Sequence, residues 1–131
     1  MEAVANKQEP SRVRACRMAY LILAWLILIC VVVQVFLAGM AMFEDSEAWV
    51  WHRKFVHLFE YITVVMFILG IIGKLPRSLT WGSLGLFALF NIQYYTAHGI
   101  AGALHPVLAL VVFSGSLALA RGSYLFITKR K

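Results

Sequence analysis

"MAYLILAWLILICVVVQVFLAGMAMF" (Met18–Phe43) is the apolar run that decides what kind of fold the chain can have. Three further apolar blocks follow it, His52–Gly73, Leu79–Ala97 and Leu104–Ala120, separated by short polar or Gly/Pro-containing breaks. With 131 residues, 62% of them hydrophobic and 14% charged, and a mean hydropathy of +0.81, a water-soluble domain has too little interior to hide this much apolar surface. Each block is about as long as a helix that crosses the hydrocarbon core, the last two being near the lower limit. A bilayer offers no water to unpaired backbone groups, and the short alternating pattern of barrel strands is absent, so the blocks read as helices. The first block is too long for the apolar core of a cleaved signal peptide and stays as the first span. The connections over 44–51, 74–78 and 98–103 are too short to fold alone and make consecutive helices antiparallel neighbours. The expectation is an all-α, integral membrane four-helix bundle of up-down-up-down topology, with no internal repeat.

Lysine and arginine give the orientation. With the N-terminus in the cytoplasm, Lys7, Arg12, Arg14, Arg17, Lys74, Arg77, Arg121, Lys129, Arg130 and Lys131 fall inside and only Arg53 and Lys54 fall outside. Both termini are therefore expected in the cytoplasm, as basic tails over 1–17 and 122–131, in a multi-pass protein of a bacterial plasma membrane. The net charge of +6 is then mainly a topology signal, with some attraction to anionic lipid headgroups, and no nucleic-acid partner is expected. Cys16 and Cys30 fall in the tail and in mid-span, too far apart for a disulfide.

On this topology "WVWHRKFVHLFEY" (Trp49–Tyr61) becomes the informative stretch. His52 and His57 lie at the outer end of the second helix, His98 at the outer end of the third and His105 at the outer start of the fourth. All four histidines of the chain thus share one side of the membrane, on three helices whose polar groups are expected to face the bundle interior. A metal-only site needs a compact tetrahedral set, and neither HxxxH nor CxxC spacing is present. Haem needs one or two axial imidazoles, an apolar and aromatic pocket, and polar groups for its propionates. The expected cofactor is one haem b per chain. His52 is the better ligand on its helix because Arg53 and Lys54 follow it at headgroup level. His57 lies about 140° further round the helix, so one of the two is a ligand at most. His105, set by Pro106 in a first helical turn, is either a ligand or a capping group, and His98, placed by Gly99 and Gly102 on a bend at the end of its helix, is the weaker ligand candidate.

Glu60 lies about two turns inside the second helix, where a carboxylate is costly unless protonated, paired or facing a wet cavity. It reads either as a proton-carrying or quinol-contacting group coupled to His57, or as an i,i+3 hydrogen bond that locks a helix end. Gln34, Asn91 and Gln93 read as interhelical hydrogen-bond glue, with Gln34 and Gln93 as alternative walls of a quinone pocket. Trp49, Trp51 and Trp81, with Tyr94 and Tyr95 at a rim, fit interfacial aromatic belts.

"WHRKF", "NIQYYTAHG" and "LHPVLALVVF" together resemble half of the two-bundle haem A synthase family. Its four-helix units carry a His-Arg pair on the second helix and a histidine at the start of the fourth. The resemblance implies His52 and His105 as ligands. The chain departs from that family in having one bundle, in placing Trp49 where a carboxylate stands three positions before the first ligand, and in lacking a cysteine pair in its outer loops. With "VVVQVFLAGMAMF" added, the pattern from Tyr20 to Arg121 also resembles a small four-pass bacterial membrane family without assigned function. What carries over is the b-haem bundle and not the hydroxylating enzyme. The expected role is therefore electron transfer between a quinol and a redox partner or larger membrane complex, not stand-alone catalysis. A haem-free accessory or assembly subunit of a membrane complex is the alternative.

Overall fold

A computed structural model describes residues 9–129. The expectations for Lys7, Arg130 and Lys131 and for the outermost parts of both tails lie outside the described residues. Among these the chain is helical: α1 (Ser11–Phe43), α2 (Ala48–Phe59), α3 (Ile62–Ile72), α4 (Arg77–Tyr95), a 3-10 turn (Gly99–Ala103) and α5 (His105–Thr128). α2 and α3 form one rod, so four helical rods result. α1, the α2–α3 rod and α5 are long and apolar enough to cross a membrane. α4 is shorter and more polar.

The boundaries differ from the sequence expectation in instructive ways. α1 begins at Ser11, directly after Pro10, so residues 11–17 of the expected tail are helical. At 33 residues α1 is about 50 Å long, well beyond the hydrocarbon thickness. Its extra turns are held by Arg17, which is buried and donates from Nε to the Gly73 carbonyl (2.7 Å), pairs with Glu9 and lies over the Phe126 ring at 5.3 Å. α5 likewise runs on to Thr128, because Phe126 and the buried Ser123 belong to this same packed end.

Burial on α1 follows Val13, Arg17, Tyr20, Ala24, Ile27 and Val31, a stripe of alternating four- and three-residue steps that points one face at the other rods. α1 packs against α2, α3 and α5, and α4 packs against α3 and α5. Small residues bring α3, α4 and α5 together. Buried hydroxyls there bond to carbonyls of their own helix, as Ser83 does to Thr80 and Ser116 to Val112. Tyr20 donates across to the Leu79 carbonyl at 2.7 Å. The close of α3 is a left-handed cap: Lys74 has φ 51°, Leu75 N–H reaches the Gly70 carbonyl (2.9 Å) and Lys74 N–H reaches that of Ile71 (3.2 Å). Pro76 then starts α4 without delay. Elsewhere the rods turn large apolar side chains outward, among them Ile22, Ile29, Phe36, Ile68 and Leu110, a surface suited to lipid contact.

At Gly70, an added Cβ would stand 2.8 Å from Thr80 Oγ1 and 3.2 Å from Thr80 Cα, so backbone must move. Gly70→Val is expected to lower stability by about 1–3 kcal/mol, whereas Gly85→Ala, with nothing within 4 Å, is expected to be neutral or slightly stabilising. Thermal unfolding of both variants in detergent checks the contrast.

Candidate functional site

The end of the molecule opposite Arg17 is built around Gln34, His52 and the last turn of α4. Gln34, late in α1, and His52, early in α2, are joined twice: Gln34 Nε2 donates to the His52 carbonyl (2.7 Å), and His52 Nδ1 lies 3.0 Å from the Gln34 carbonyl. Trp49, one turn earlier, sets its ring edge-on to His52 at 5.5 Å. His105 opens α5 and presents Nδ1 to the Gln93 carbonyl at 3.1 Å. That carbonyl lies in the last turn of α4, where no helical N–H remains to fill it, so the imidazole acts as a cap. The Thr96 hydroxyl shares this end of α4, donating to the same Gln93 carbonyl at 3.2 Å and lying 3.3 Å from the Gln93 side-chain oxygen.

His52 and His105 face each other with ring centroids 6.3 Å apart and planes at 61°. With each Nδ1 proton given to a backbone carbonyl, each Nε2 keeps its lone pair, and neither Nε2 has a protein partner among the described residues. Both rings line a cavity of about 660 Å³, within the usual range for small-molecule sites. The cavity also gathers His57, His98, Arg53, Gln34, Gln93, Tyr94 and Phe90. The four histidines thus share one cavity wall, as does Arg53; Lys54 is exposed and does not line it. His98 is exposed, in extended backbone just before Gly99, whose φ is +60°. Among the described residues no group of three or more His, Cys, Asp or Glu converges on a metal-sized point.

A second cluster sits on the same wall. Glu60 is 3% exposed and lies at the break between α2 and α3. Its Oε1 is 3.0 Å from His57 Nδ1, and its Oε2 accepts from Tyr94 O–H at 2.5 Å. The Tyr94 hydroxyl is also 3.2 Å from His57 Nδ1, and the two rings stack at 5.2 Å. The i,i+3 bond expected between His57 and Glu60 is present, but it is one edge of a triad that reaches across to α4. Tyr94 therefore has a task that an interfacial-belt reading misses, while Tyr95 is exposed. The signal was available in spacing: Leu86, Phe90 and Tyr94 fall four apart on one helix face, the first two buried. Asn91, by contrast, bonds to the Phe87 carbonyl of its own helix and not to a neighbouring one.

Three membrane-length apolar helices and a histidine-lined cavity near one end define a small helical protein of membrane type. It belongs to the family of unknown function DUF6220, whose model matches residues 34–102. That stretch holds Gln34, His52, His57, Glu60, Tyr94 and His98 and ends just short of His105. No curated protein and no solved structure matches the chain, so the likeness to haem A synthase rests on the quoted motifs alone.

Removing the Tyr94 hydroxyl strips a hydrogen bond from a buried carboxylate. Tyr94→Phe is expected to cost about 1–2 kcal/mol, and Tyr95→Phe essentially nothing, by thermal unfolding in detergent.

Proposed function

We propose that this protein is a small membrane b-type cytochrome, holding one haem b between His52 and His105 and relaying electrons between a quinol and a partner protein. The observation that carries the reading is the facing pair of imidazoles, each anchored through Nδ1 on a backbone carbonyl and each leaving Nε2 toward a shared cavity. That is the arrangement in which a second bond fixes the orientation and tautomer of a metal-binding histidine. Two such imidazoles from different rods, a mostly apolar wall with Phe90 and Trp49, and Arg53 for an anionic propionate make a donor set that suits haem b. Two imidazoles suffice for a haem iron, whose other ligands come from the porphyrin, so the absence of a three-residue cluster does not count against it.

When bound, haem b supplies one-electron chemistry. The chain's own residues do the rest: His52 and His105 hold and orient, Gln34 and the α4 terminus lock those two rings, and Arg53 offers a cation at the cavity mouth. On the basic-residue asymmetry, the rods form an up-down-up-down bundle in a bacterial plasma membrane with both termini cytoplasmic, which puts the cavity in the outer leaflet. One haem on one side passes electrons laterally, to a protein or larger complex on that face, and does not carry them across the bilayer.

The test is the reduced-minus-oxidised visible spectrum of detergent-purified protein expressed with ample haem, with a pyridine haemochrome assay for stoichiometry. A b-type band with about one haem per chain is expected, lost or severely reduced in His105→Ala and His52→Ala and retained in His98→Ala. Colourless protein would instead favour a haem-free accessory subunit, and wild-type haem in both His105→Ala and His98→Ala would refute the ligand assignment.

A further inference from the structure

The Glu60 triad is not needed to hold two axial histidines, and its construction asks for another purpose. Glu60 is buried, and among the described residues its two oxygens meet only His57 and Tyr94. Around it, cations are scarce. α1, packed on both α2 and α3, has only Tyr20 and Cys30 as titratable groups between Met18 and Phe43, and α4 has only Tyr94 and Tyr95 between Ser78 and Tyr95. Tyr61 is the next residue along the chain. The cavity wall adds His52, Arg53, His98 and His105, none of which is bonded to Glu60. His57 is thus the one group in contact with Glu60 that can take on positive charge. Its ring is the accessible member of the pair, with the His57 side chain 60% exposed against 5% for Glu60. With Nδ1 engaged by Glu60, His57 Nε2 has no protein partner among the described residues, and the ring lines the cavity.

We propose that His57, Glu60 and Tyr94 form a proton-binding site that takes up one proton when the cavity's redox centre gains one electron. The proposal rests on the haem reading and adds to it a chemical coupling. The balance is simple: one electron enters the cavity, and one proton from the outer aqueous side forms a bond to His57 Nε2. The imidazolium so made lies against the Glu60 carboxylate, with Tyr94 donating to the other oxygen. Reoxidation releases the same proton by the same route. The Glu60 carboxylate touches the ring that would carry the proton, and the added electron enters the cavity that the same ring lines, so the two uptakes are coupled through contact and proximity. Electron transfer from a quinol, which gives up protons as well as electrons, would use such a site.

The experiment is redox potentiometry of the haem-loaded full chain across the neutral pH range, in wild type and in His57→Gln, which keeps a hydrogen-bonding polar side chain but cannot take the proton. In wild type the midpoint potential should fall as pH rises, by up to about 59 mV per pH unit for one electron and one proton, and His57→Gln should flatten the profile. A flat wild-type profile, or the same slope in both proteins, overturns the coupling. Protein that binds no haem overturns the cytochrome reading and with it the coupling to an electron. The proton site itself is then read separately by nitrogen-15 NMR of the histidine-labelled chain. The His57 signal, identified by its loss in His57→Gln, should titrate with a midpoint moved by about one pH unit or more in Glu60→Gln. An unmoved midpoint there overturns the proton site.

Discussion

The constraint on which this structure depends is that a chain surrounded by hydrocarbon must satisfy its polar groups with its own atoms. Straight helices meet that demand automatically, and the informative places are those where the helix is interrupted. At Glu60–Tyr61 the rod formed by α2 and α3 tightens from its regular ladder: Thr63 N–H and its hydroxyl turn to the Glu60 carbonyl and Val64 N–H to that of Tyr61, while the flanking Glu60 and Val65 N–H groups keep the ordinary four-residue bonds to Val56 and Tyr61. The break therefore costs the backbone little, and it sits where the Glu60 side chain meets α4. The corner from α3 to α4 obeys the same rule through its left-handed cap at Lys74, and the corner from α4 to α5 through His105, which fills a carbonyl that the end of α4 leaves open.

The two ends of the bundle solve the problem with different chemistry. At one end a single guanidinium, Arg17, collects the Gly73 carbonyl, Glu9 and the Phe126 ring, binding α1 to the end of α3 and to α5. Its planar array of donors suits several partners at once, and the residue cannot shed its charge. The other end uses imidazoles, amides, a phenol and one carboxylate, groups whose protons can move. The Arg17 end is thus tied by one fixed charge, and the cavity end by groups that both tie the rods and line the cavity. Gln34 does both: its amide nitrogen ties α1 to α2, while its Oε1 is buried at the cavity wall without a protein partner among the described residues.

Much of this was legible in the sequence because apolar blocks and histidine positions are local signals. The helical class and the placing of His52, His57, His98 and His105 near one cavity follow from block length and order; of the four spans expected, three helices are long and apolar enough to cross a membrane among the described residues, and α4, with its polar Arg77, Ser78, Thr80, Asn91 and Gln93, is not. The break at Glu60–Tyr61 was not legible, since no glycine or proline marks it; the segment "HLFEYIT" differs from an uninterrupted helix only in what its side chains reach. Arg17 read as a solvated tail residue because basic residues near a terminus usually are, although its place in the Val13–Tyr20 stripe gave it away. Tyr94 was hidden for a different reason. Its partner Glu60 is 34 positions earlier, and a pairing at that distance depends on how two rods are rotated about their axes, which a single sequence does not fix. The same rotation decides that His52, and not His57, turns toward His105.

That last choice bears on what each histidine can do. His52 and His105 both rest against backbone carbonyls, which accept a hydrogen bond but carry no full charge, so each ring is oriented through Nδ1 with Nε2 left without a protein partner among the described residues. A neutral imidazole held in one tautomer is the form that coordinates iron. His57 rests against a carboxylate, and the partner that orients the ring also offers a full negative charge to a cation beside it. One fold has thus placed two kinds of histidine on one wall, set apart by which way the ring turns and by what stands behind Nδ1. A carbonyl from α1 or α4 backs each of the two proposed ligands, and a carboxylate at a helix break backs the proposed acid–base group.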